Sequence, residues 1–120
     1  MTDLRVYYDD AALAHVAPRG ESDMPPSGRL AVDEPHPDRR ERVENVVAIL
    51  RSELDAATTW ADVEPAARSQ LERVHSPDHV DGIRRWADAG GGRVTPETGG
   101  NRETYRGAVT AVGGAIAGGE

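Results

Sequence analysis

Asp38-Arg39-Arg40-Glu41-Arg42-Val43-Glu44-Asn45-Val46-Val47-Ala48-Ile49-Leu50-Arg51-Ser52-Glu53-Leu54 is the stretch on which the fold turns. Val43, Val46, Val47, Leu50 and Leu54 recur at the three- and four-residue spacing that draws one apolar stripe along a helix, while Arg42, Glu44, Arg51 and Ser52 keep the opposite side polar. Pro37 lacks only an N–H that a first turn leaves unpaired, and Asp38 complements the positive end of the helix dipole, so the pattern predicts a helix over 38–54.

Two strand signals flank that helix. Leu4-Arg5-Val6-Tyr7-Tyr8 alternates and is rich in β-branched and aromatic residues, with Asp9-Asp10 ending it; Thr58-Thr59-Trp60-Ala61-Asp62-Val63 reads as a short second strand. Strand, helix and strand in this order predict a parallel pair and an α/β fold. Between the first strand and the helix, residues 18–37 hold five of the eight prolines and show neither helical nor strand periodicity, which predicts a long loop.

Further along, Pro65 to Val74 reads as a short helix burying Leu71 and Val74. Ser76-Pro77-Asp78 combines an N-cap hydroxyl, a proline at the first helical position and an early acid. The helix it opens places Val80, Ile83, Trp86 and Ala87 on one face and stops at Gly90-Gly91-Gly92. That triplet is a helix stop and not a phosphate cradle, since a phosphate loop lies between strand and helix and carries a lysine. Asn101 is expected to cap a last helix carrying Tyr105, Ala108, Val109, Val112, Ala115 and Ile116 at helical spacing. Gly107, Gly113 and Gly114 each cost that helix roughly 1 kcal/mol relative to Ala. They predict a closely approaching neighbour, inside the chain or outside it.

Composition narrows the class. The chain has 120 residues, room for one domain, with 17 Ala and 12 Val but only 6 Leu, 3 Ile, 5 aromatics and no Phe. The core available is thin. All 14 basic residues are Arg, 21 are acidic and the net charge is -7, a balance that suits a surface adapted to high salt, where screening removes self-repulsion. The same balance argues against binding nucleic acid, which needs a basic stripe. No Cys is present, which excludes disulfides and thiolate metal sites. No apolar run suits a signal sequence or a membrane span, so a cytoplasmic location is expected.

Three stretches in order, His36-Pro37-Asp38-Arg39-Arg40-Glu41-Arg42, Val74-His75-Ser76-Pro77-Asp78-His79-Val80 and Ala111-Val112-Gly113-Gly114-Ala115, with a glycine-rich turn before the third, resemble the N-terminal third of the histone deacetylase and acetoin-utilisation deacetylase family. Departures from the family pattern are Arg40 at a usual proline, His79 at a usual tyrosine and a longer loop before His36. The resemblance implies part of a three-layer α/β/α arginase-deacetylase-like domain, here mostly helical with two short parallel strands. It also implies zinc in an intact parent, held by two Asp and one His beyond this region, with a His pair acting on water. No residue of this chain matches those ligands, so no catalytic or metal residue is assigned, and a truncated domain over 1–120 is expected.

The resemblance further places His36, Arg42 and Glu97 at the substrate channel or its rim. There Arg42 would hold acetate through a bidentate contact. Against this, Arg42 reads as a surface arginine pairing with Asp38 one turn back, His36 as a loop residue fixing the approach to the helix, and Glu97 as a loop acid. His75 and His79 are four apart, but Pro77 starts a helix between them, so they are not expected to share a helical face or a metal. Two functions follow. One is the N-terminal segment of a zinc deacetylase, inactive alone and completed by the missing C-terminal portion. The other is a noncatalytic helical module whose glycine-rich last helix meets another protein.

Overall fold

The computed structural model describes residues 3–17, 38–95 and 98–120. The predicted loop at 18–37, and with it His36, lies outside the described residues, as does Glu97.

Strand β1 (Leu4–Tyr7) pairs in parallel with β2 (Thr58–Ala61), setting Leu4 beside Thr58 and Val6 beside Trp60. A parallel pair requires a crossover connection, and helix α2 (Arg40–Glu53) lies within it, giving the expected βαβ unit. Helix α2 starts two residues later than its spacing predicts because Arg39 is extended, at φ -143° and ψ 155°. Its apolar stripe is only half covered. On it Val46 and Leu54 remain 57% and 46% exposed, Ile49 beside it is 58% exposed, and no residue of α2 is buried. A short helix α1 (Ala11–Ala14), which carries too few residues for periodicity to detect, follows β1. The Asp9 carboxylate accepts from the Ala11 N–H at 2.8 Å and fixes its first turn.

After β2 the chain departs from its sequence pattern. Helix α3 is confined to Arg68–Leu71, and Val74, expected to be buried, is 80% exposed. The Ala66 N–H donates to the Val109 carbonyl at 2.9 Å, which holds this segment against the last helix, and Ala67 is extended at ψ 152°. Helix formation therefore begins only at Arg68.

Helix α4 (Pro77–Asp88) matches its sequence signature. The Ser76 hydroxyl accepts from the His79 N–H at 3.2 Å, Pro77 occupies the first turn, and Val80 and Ala87 are buried. Ser76→Ala is expected to lower stability by about 1 kcal/mol, read as a shifted denaturant midpoint at unchanged slope; an unmoved midpoint would count against the cap. Gly90, Gly91 and Gly92, all at positive φ, end α4 and turn the chain into an antiparallel hairpin of β3 (Gly92–Thr95) and β4 (Thr98–Gly100).

Helix α5 (Thr104–Gly119) organises the rest, packing on α1, β1 and α4. It begins three residues after the expected cap, Asn101, whose role is wider than capping. The Asn101 side-chain oxygen accepts from the Glu103 N–H at 3.1 Å, and its amide donates to the Ala14 carbonyl at 2.9 Å, tying the start of α5 to the end of α1. His15 Nδ1 lies 2.8 Å from the Thr104 hydroxyl at the same junction. The glycines of α5 meet neighbours within the chain: the Glu64–Ala66 backbone crosses Gly113, and Ala11 and His15 lie against Gly107. The close partner that they predict is thus internal at these two positions. The core is small, as composition foretold, and Ala11, Val80, Ala87 and Thr110 are its buried non-glycine side chains among the described residues.

Candidate functional site

In open α/β sheets, ligands bind beyond the carboxyl ends of the strands. Tyr8, Asp9 and Asp10 occupy that end of β1. Tyr8 packs edge-on to Trp60, with ring centres 6.1 Å apart, and donates to the Asp10 carboxylate at 3.0 Å. Partial burial and that bond raise the Tyr8 hydroxyl above its ordinary pKa and keep it protonated. Arg51 lies over the Trp60 ring at 5.0 Å. These contacts brace α2 against the strand ends, and Asp9 is spent on the first turn of α1.

Of the three rim candidates, Arg42 alone is described. Its guanidinium is 67% exposed and lies 3.9 Å from the Asp38 carboxylate, the pairing that helical spacing predicts. His36 and Glu97 lie outside the described residues.

A different feature is concave. Helices α4 and α5 diverge around an apolar groove of about 160 Å³, lined by Leu71, Val80, Ile83, Tyr105 and Val112, with His75 and His79 also on its wall. Beside it, Arg68 joins α3 to α4 through ion pairs with Glu72 and Asp81, and also donates to the Pro77 carbonyl at 3.4 Å. The hydrogen bond from Arg68 holds the Asp81 carboxyl below its ordinary pKa, and the two carboxylates hold the guanidinium charged. Sequence periodicity missed the link to Asp81 because Arg68 and Asp81 sit on separate elements.

His75 and His79, not expected to share a helical face, nonetheless lie with their ring centres 5.1 Å from one another and their planes tilted by 33°. Helical-face reasoning fails here because His75 precedes the Ser76 cap. The turn at the cap brings its ring beside that of His79 in the first turn. The signal was the cap itself, which redirects the chain.

Among the described residues no three His, Asp or Glu side chains converge on a point where they would hold a metal ion, so the donors present do not fit a catalytic zinc. Among the same residues no helix is long and apolar enough to cross a membrane.

These elements define an α/β protein: a parallel pair with its crossover helix and a helical layer held by α5. The histone deacetylase domain model matches residues 36–120. The chain is also similar to the solved HDA15 HD domain, with a TM-score of 0.75 at 21% identity, over 97% of this chain and 30% of that one. A search of curated proteins finds no match. The chain belongs to the histone deacetylase family, and it spans 30% of the length of the solved domain it matches.

Proposed function

We propose that this chain supplies the first βαβ unit and adjoining helices of a zinc-dependent deacetylase domain, and that alone it does not hydrolyse acetylated lysine, polyamines or similar amides. The observation that carries this reading is the combination of a histone deacetylase family match over 36–120 with similarity to 30% of the solved HDA15 HD domain.

In the intact parent, zinc would polarise the amide carbonyl and acidify water. The part played by this segment would be positional. Helix α2 would carry Arg42 to the channel, and the flanking His36 and Glu97 would shape its rim. The arginine-only basic set and net charge of -7 favour work at high salt. The interaction-module alternative relied on the glycine face of α5. That face is occupied at Gly113 and Gly107 by the chain's own backbone, which weakens it.

Hydrolysis of an acetyl-lysine fluorogenic peptide, with zinc supplied in concentrated KCl, tests the proposal. No turnover above a zinc-only control is expected from this chain. Turnover by it would overturn the reading.

A further inference from the structure

We infer that His75 and His79 form a two-histidine site for a divalent transition metal that favours nitrogen ligands, such as Zn²⁺. The inference stands on local geometry and does not use the deacetylase reading. A metal about 2.0–2.1 Å from one nitrogen of each ring, with a tetrahedral angle between the two bonds, sets the ring centres roughly 5 Å apart. The observed separation is 5.1 Å.

Three features prepare the pair. Both histidines are exposed, so a metal reaches them from solvent without opening the core. Neither imidazole hydrogen-bonds to another described residue, so each ring is able to turn a nitrogen toward a common point without breaking a protein contact. The backbone between them is held: Ser76 caps the helix through the His79 N–H, Pro77 restricts the first turn, and the His75 N–H donates to the Leu71 carbonyl at 3.0 Å. Fixing the two Cα atoms lowers the ordering cost of chelation. Water or a small anion would complete the coordination sphere, since the chain offers two ligands here.

Ligand chemistry sets the selectivity. Imidazole suits Zn²⁺, Cu²⁺ and Ni²⁺, whereas Ca²⁺ and Mg²⁺ prefer oxygen donors. The 21 carboxylates of this chain provide a diffuse oxygen-donor background, and concentrated KCl screens it. Calorimetric titration with Zn²⁺ in concentrated KCl is the experiment, repeated with Ca²⁺ present. One Zn²⁺ per chain is expected, undisturbed by Ca²⁺. His75→Gln and His79→Gln should each weaken it by roughly tenfold or more, since even outer-shell partners of metal sites are worth 10–100-fold. His36→Gln should leave it unchanged. On the native chain, ¹⁵N shifts of the histidine rings should move on Zn²⁺ addition at His75 and His79 alone, a readout independent of how the variants fold. The inference is overturned if no Zn²⁺ binds, if both variants bind as the native chain does, or if the loss follows His36.

Discussion

Gly113→Ala is expected to destabilise the fold strongly, while Gly114→Ala, one residue along the same helix, should stabilise it or leave it unchanged. Alanine improves helix propensity at both places by about 1 kcal/mol. At Gly113 a Cβ would drive into the Glu64 carbonyl oxygen and approach Glu64 C and Ala66 N to 3.0 Å. All three are backbone atoms of one segment, so no side chain is able to swing aside. Relief requires that segment to lift off α5, which stretches the bond from Ala66 N–H to the Val109 carbonyl. Overpacking of this kind costs about 1–3 kcal/mol and a displaced hydrogen bond about 1 kcal/mol more. At Gly114 the nearest atoms are Val63 Cγ1 at 3.7 Å and Tyr7 Cβ at 3.8 Å, ordinary contact distances. Thermal melting of the two variants checks this. Equal melting temperatures would mean that residues 64–66 do not lie across α5 as described.

The second large effect is expected at Gly91→Ala, with Gly82→Ala as its counterpart. Gly91 has φ +72°, where an alanine costs roughly 1–2 kcal/mol. Its Cβ would also lie 2.5 Å from the Gly100 oxygen and 2.7 Å from both Gly100 C and Asn101 Cα. The clash falls on the junction of β4 and α5, where Asn101 ties α5 to α1. Strain at the turn should thus spread to the packing of α5, for a total of roughly 2–5 kcal/mol. Gly82, inside α4, has open space where a methyl group would stand, with no neighbouring heavy atom within 4 Å, and alanine there should raise stability by up to about 1 kcal/mol. Circular dichroism during chemical denaturation separates the pair. A Gly91→Ala midpoint equal to that of the native chain would contradict the turn geometry.

Local signals read well where a few adjacent residues decide the outcome. The Ser76-Pro77-Asp78 cap, the strand alternation on either side of α2 and the glycine stop after α4 all appear as their chemistry requires. The Arg42–Asp38 pairing was legible for the same reason, since both partners lie one turn apart on one chain segment. A place at a substrate channel is not legible in this way, because channel walls are assembled from elements distant in sequence. The proximity of His75 and His79 escaped helical reasoning because a cap, and not a continuous helix, sets their geometry.

Periodicity and capping chemistry, both carried by neighbouring residues, were enough to settle that this is an α/β chain with a crossover helix, a thin core and a close-packed glycine helix. Tertiary structure alone decided what met Gly113 and Gly107: the backbone of Glu64–Ala66 and the end of α1. It also decided that α3 starts only at Arg68, after a segment that the bond from Ala66 to Val109 holds against α5, and that Val74 stays exposed. The physical reason is range. Propensity and periodicity act within a few residues, whereas a backbone hydrogen bond between segments far apart in sequence depends on where the whole chain has carried them.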